Sequence, residues 1–149
     1  SSAASDVYKR QLYHIAAGLK TVELRTWETP YRGPILLCSS ASACGVGRAL
    51  PCGYALLIAD LVDVKKLTPE LLEAAYIEGL QDPEKYFAWQ LDNIRMLADP
   101  FKIKGKLRLF DVDFDEQAAE LIFPPFTYDN GECTVIDFWE YIGITNLCR

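Results

Sequence analysis

The stretch Y-A-L-L-I-A-D-L-V-D-V at residues 54–64 is apolar on both of its alternating faces, and it constrains the fold more than any other part of the chain. An extended strand that turns hydrophobic side chains both ways belongs inside a sheet with cover on each side. As a helix the run is far too short to cross a bilayer. The remainder of the 149 residues therefore has to supply neighbouring strands and a covering layer, within one ordinary domain and a modest appendage.

Composition agrees with that. Hydrophobic residues make up 50%, charged residues 24%, and the mean hydropathy is +0.03, as in globular rather than disordered or fibrous chains. A net charge of −6 and a pI near 4.8 exclude a protein that grips nucleic acid by bulk electrostatics. A single histidine excludes a His-rich metal site. The five cysteines are odd in number, form no C-x-x-C and follow no secretory signal, so reduced thiols in a cytoplasmic protein are expected. Cys38 reads as a small core hydrophobe. Cys44 and Cys52 flank a glycine-containing loop, but nothing supplies a third and fourth ligand, so neither metal nor cofactor is expected.

Charge is distributed unevenly. Residues 1–108 hold fourteen Lys/Arg against twelve Asp/Glu, whereas residues 109–149 hold one against nine. Arg95, Lys102, Lys104, Lys106 and Arg108 are opposed over their segment only by Asp99. Such a basic run is either a solvated strand edge guarded by lysines or a phosphate-facing stripe that the acidic tail partly neutralises.

The coarse organisation is a small α+β architecture. Residues 12–17 suit a helical turn stopped by Gly18. V-E-L-R-T-W (22–27) alternates, with Val22 and Leu24 on one face and Glu23, Arg25 and Trp27 on the other. A turn cluster at 29–34 precedes a buried strand at 35–40, and 41–53 reads as a loop. Thr68-Pro69 opens a helix running to about Ile77. Strands are expected at 86–91 and 103–110, joined by a Pro-containing link, and short helices at 115–121 and 136–141. Residues 1–11 are small, polar and without period; they look like adapter- or vector-derived residues joined to a truncated frame, and a disordered or arbitrarily packed start is expected. Residues 12–112 then make the domain and 113–149 an acidic, aromatic extension.

The elements G-L-K-T-V-E-L-R (18–25), W-E-T-P-Y-R-G-P-I-L-L (27–37), G-Y-A-L-L-I-A-D-L-V-D-V, Y-F-A-W-Q-L and P-F-K-I-K-G-K-L-R-L-F follow one another in order. In that order and spacing they resemble the ASCH family, a branch of the PUA-like β-barrel superfamily, over about residues 12–112. The resemblance implies a small mixed β-barrel with short flanking helices. It also implies a cleft lined by the G-x-K-T-x-E-x-R segment, with roles in RNA or nucleotide recognition. Some small relatives are similar to amidohydrolases that deacetylate acetylated cytidine, and others have been proposed as ribonucleases.

The residues themselves allow both binding and catalysis. Lys20 beside a glycine turn is either a phosphate-seeking cation or, if desolvated, a base or nucleophile. Arg25 offers a planar fork, and Trp27 on the same face a stacking surface. Glu23 separates the readings: a carboxylate beside Lys20 favours its charged form, whereas a lysine base needs a lowered pKa. The deacetylating relatives carry threonine where Glu23 stands, and Asp60 is the nearest candidate for their partner carboxylate. Binding of RNA or a modified nucleoside is therefore the favoured expectation. The alternative is a hydrolase using Lys20 with Glu23 or Asp60. A third is a protein-interaction module using tail residues such as Phe123, Phe126, Phe138 and Trp139.

Each candidate has a plainer reading. Glu23 and Arg25 also suit an exposed ion pair; Trp27 and Trp89 suit core aromatics; Asp60 suits a buried carboxylate serving a turn. Tyr31 and Arg32 close a turn unless Arg32 clamps a phosphate. Ser39 and Ser40 either satisfy backbone groups or face a ligand. Lys104 and Lys106 follow a ligand backbone only if the basic run faces the cleft. His14 reads as a partly buried structural side chain, and G-V-G at 45–47 as turn residues without a phosphate-loop Lys-Ser/Thr.

Overall fold

The computed structural model describes residues 2–40, 53–106 and 108–123. Its centre is the strand that the apolar run demands: β4 (Tyr54–Lys66), in which Ala55, Leu56, Leu57, Ile58 and Ala59 are essentially inaccessible to solvent. On one edge it pairs with β3 (Gly33–Ser39) and on the other with β5 (Phe87–Lys102), both antiparallel. The sheet grows outward from these three strands.

β5 takes in nearly all of the strand expected at 86–91 and runs on through the Pro-containing link to Lys102. Pro100 does not break it, because the ladder with β4 jumps from Leu57–Met96 to Ala55–Phe101 and Pro100 falls inside that irregularity, where no pairing is lost. The outer edge of β5 carries β2 (Val22–Arg25) near its start and the short β7 (Leu121–Ile122) further along. Of the basic segment expected as a strand at 103–110, residues 103–106 and Arg108 lie outside any strand, and β6 occupies Leu109–Val112.

The opening residues are ordered, contrary to expectation. Ser2–Val7 form β1, parallel to β3 and antiparallel to β6, with Ala4 and Val7 buried. A Ser/Ala-rich strand carries almost no hydrophobic contrast along its sequence.

The strand order is β2-β5-β4-β3-β1-β6, with β7 beside β5. Among the described residues no ladder joins β2 to β6, so the seven strands form a mixed sheet that is not closed into the expected barrel. Side chains cross the seam instead. Arg25 on β2 reaches Ser5 Oγ at 3.2 Å and the Asp6 carbonyl at 2.8 Å on β1. Arg108 lies over the Trp27 ring at 4.8 Å.

Among the described residues two short α-helices flank the sheet. α1 (Lys9–Ala16) buries Leu12, Ile15 and Ala16 in the main core and is followed by Gly18 at φ 81. α2 (Pro69–Ala74) has the Thr68 cap and leading proline read from sequence. It stops short of Ile77 because Tyr76 turns left-handed (φ 53) and the Ala75 carbonyl is taken by Lys20. The helix expected at 115–121 reduces to a single turn of 3-10 helix at Glu116–Ala118, capped by Asp115, before β7. The sheet thus continues past the expected boundary at residue 112. No helix among the described residues is long and apolar enough to cross a membrane. The helix expected at 136–141, nearly all of the loop at 41–53, and Cys44, Cys52, Cys133, Cys148, Phe126, Phe138 and Trp139 lie outside the described residues.

Candidate functional site

The alternating segment does assemble a row of charges. Lys20 is fully buried; its Nζ donates to the Ala75 carbonyl at 2.7 Å and lies 3.5 Å from Glu23 Oε1. Burial pushes the lysine below its ordinary pKa, the Glu23 carboxylate pulls it back up, and the Arg25 cation adds a smaller push downward. Glu23 Oε1 also accepts from the Leu24 backbone N–H at 3.2 Å, while Oε2 lies 3.7 Å from Arg25 Nη2. A cation, an anion and a cation therefore follow in sequence from the interior outward. Lys20 is the inner end, and its amine is spent on α2.

Arg25 is the outer end, and only this end meets open space. It borders a cleft of about 560 Å³ together with Trp27, Lys106, Arg108, Asp6 and Ser40. The Arg25 Nε is buried without an acceptor among the described residues, as is Asp6 Oδ1 without a donor. Burial raises the Asp6 carboxyl above its usual range, and Arg25 offsets part of that. Gly105 lets the basic connection press against β1, since a Cβ there would collide with the Asp6 carboxylate.

The two tryptophans divide the roles offered to them. Trp89 is 2% exposed, sits edge-on to Trp27 at 4.6 Å and 76°, and donates from Nε1 to the Trp27 carbonyl at 3.1 Å. It is a core side chain that fixes its neighbour. Trp27 is half-buried and lines the cleft.

Other candidates go elsewhere. Asp60 is paired with Arg95 at 3.0 Å and accepts from Asn93 Nδ2 at 3.1 Å, so it serves a different cluster and does not orient Lys20. Arg95, which the sequence groups with the basic run, is 4% exposed and also grips Glu116 at 2.8 Å, beside a second cavity of about 820 Å³. Arg32 donates to the Thr29 and Tyr31 carbonyls and pairs with Asp63 at 3.6 Å, which closes its turn. Ser39 Oγ accepts from Tyr54 N at 3.0 Å and donates to Tyr54 O at 3.3 Å, satisfying backbone. Lys104 is exposed on the basic connection and does not line the cleft. Cys38 is buried, with its thiol pushed up to about 12 by desolvation. No group of three or more His, Cys, Asp or Glu suited to a metal occurs among the described residues.

Of the residues bordering this cleft, the sequence names Arg25, Trp27 and Lys106 as candidates and places Arg108 only within the basic run. The signal for Arg108 was its charge; its position over Trp27 depends on how the chain returns.

Residues 7–101 match the ASCH domain family. No curated protein matches the chain. Among solved structures it is similar to a mutant form of ZmASCH from Zymomonas mobilis, at 14% identity and a TM-score of 0.40, covering 97% of this chain and 99% of that one. With the family match spanning well over half of its length, the chain belongs to the ASCH domain family.

Proposed function

We propose that the chain binds RNA or a nucleotide in the cleft bordered by Arg25, Trp27, Lys106 and Arg108. The observation that carries this reading is the convergence of three cations and an indole on one hollow of about 560 Å³, in a protein whose net charge is −6. A local positive cleft on an acidic body supports recognition of one or a few nucleotides and disfavours a long non-specific tract. Membership of a family linked to RNA recognition agrees with it. Glu23 holds Arg25 from behind, Lys20 stands one step deeper, and Lys104 lies further along the same connection. Isothermal titration with a short single-stranded RNA tests the reading. Binding by the wild type that is lost in a Lys106→Ala/Trp27→Ala double variant of unchanged fold supports it; equal binding by both removes it.

A hydrolytic reading is favoured by one observation, the complete burial of Lys20 with its depressed pKa. An amine of that kind is suited to general base or nucleophile duty on acetylated cytidine or RNA. Its contact with Glu23 and its hydrogen bond to Ala75 oppose that duty. Turnover of acetylated cytidine that disappears in Lys20→Arg would establish it. Docking of a protein through residues 113–149 is a further reading, supported among the described residues by Phe123, which is 58% exposed. A cytoplasmic setting is consistent with Cys38 as a free thiol.

A further inference from the structure

We infer that Arg108 is a displaceable cover over the Trp27 indole, and that the cleft takes an unpaired nucleotide carrying base and phosphate together. The inference rests on the nucleotide-binding reading above. The Arg108 guanidinium lies over the Trp27 ring at 4.8 Å, on ground that a stacked base would need. Its backbone is left-handed (φ 60), a conformation that costs a long side chain energy and is concentrated where function maintains it. Arg108 is exposed and lines the same cleft as Arg25 and Lys106. Trp27, in contrast, is fixed by Trp89 through both a ring contact and a hydrogen bond, so the platform stays while its cover moves.

The exchange has a direction. A solvent-exposed cation such as Arg108 is held over an aromatic ring more weakly than a nucleobase stacked on that ring. A base arriving alone still displaces Arg108 without giving it a new partner. A base arriving with its phosphate does give one, because the freed guanidinium remains within a cleft already bordered by Arg25 and Lys106 and can form charge-assisted hydrogen bonds to that phosphate. Bases stacked within a duplex do not present a free face to the indole. The cleft should therefore discriminate nucleotide from nucleoside, with Arg108 as the residue that sets the ratio.

The test compares cytidine 5′-monophosphate, cytidine and inorganic phosphate by calorimetry and by tryptophan fluorescence. Wild type is expected to bind the nucleotide about tenfold tighter than the nucleoside, with quenching that phosphate alone does not produce. Arg108→Gly suits the left-handed backbone and removes the cover. In it, nucleoside affinity should rise several-fold, nucleotide affinity should fall, and the ratio should shrink to about two. Arg108→Lys should fall between them. A ratio unchanged in Arg108→Gly, or equal weakening of both ligands, overturns the cover while the cleft reading stands. Absence of binding to wild type and variant alike overturns the cleft reading itself.

Discussion

Lys20 Nζ donates a 2.7 Å hydrogen bond to the carbonyl of Ala75, tying the end of α2 to the segment that leads into β2. The lysine is buried, so the bond lies in a medium where an unpaired carbonyl is costly. Lys20→Met should lower the unfolding free energy by about 1–3 kcal/mol in urea titration, since the buried acceptor is left without a donor. Native-state hydrogen exchange should show the loss at Thr21, whose N–H pairs with the Ala74 carbonyl. Unchanged stability would mean that Lys20 serves only a ligand.

The same residue makes a prediction about pH. Its folded pKa lies below the ordinary 10.5. Between the two values the unfolded chain binds more protons than the folded one, so stability rises with pH through that window. Below the folded value the buried charge opposes folding in full. Cys38 acts with the opposite sign, since its thiol is raised from 9.0 to about 12 and stability falls as pH climbs through that range. Cys38 is common to wild type and Lys20→Met, so it cancels in their difference. The stability of wild type minus that of Lys20→Met should therefore grow as pH rises towards 10.5 and level off above it. A flat difference in pH-jump denaturation curves would contradict the lowered pKa.

Arg95 joins β4, β5 and the turn at Glu116–Ala118, through Asp60 at 3.0 Å and Glu116 at 2.8 Å. The arginine is buried while both carboxylates keep about a third of their side chains in solvent. Arg95→Ala should cost about 3 kcal/mol, because it removes a buried side chain and strands two acids near each other. Glu116→Gln, at the wetter end, should cost about 1 kcal/mol or less. Chemical denaturation of the two variants checks the order; a larger effect at Glu116 would reverse the assignment of which partner matters.

How much of this was legible from residues alone varies with the physics of each signal. β4 and the Thr68-Pro69 start of α2 carry strong local signals, one of unbroken hydrophobicity and one of capping chemistry, and both appear where expected. β1 did not, because Ser and Ala give no contrast between its faces. The run I-K-G-K-L-R has the period of a strand, yet none of its described residues belongs to one and β6 begins at Leu109, where the edge of β1 is available. A basic run suggests either a solvated edge or a phosphate-facing stripe, and Arg95 is neither, since two carboxylates distant in sequence pair with it in the interior. At the candidate site Arg25 and Trp27 border one cleft although β2 ends at Arg25 and the expected alternation does not extend to Trp27, whereas the capture of Lys20 by Ala75 depends on where α2 ends.

If the cleft binds through Arg25, Lys106 and Arg108, affinity should depend on ionic strength in proportion to the cations engaged. Three contacts to a single strand predict a slope of about −2 in log K against log salt. Lys106→Ala should reduce its magnitude by about 0.7. A slope near zero would move recognition away from phosphate altogether.

Ser2 Oγ donates to the carbonyl of Phe114, 112 positions along the chain, and β6 is held to the sheet through β1. That edge joins the earliest and some of the latest residues of the described fold. Closing so long a loop is entropically slow. On a ribosome, β1 can lie beside β3 well before β6 emerges, leaving its other edge unpaired during synthesis. That interval, more than the finished structure, is when this chain would be most prone to stick to its neighbours.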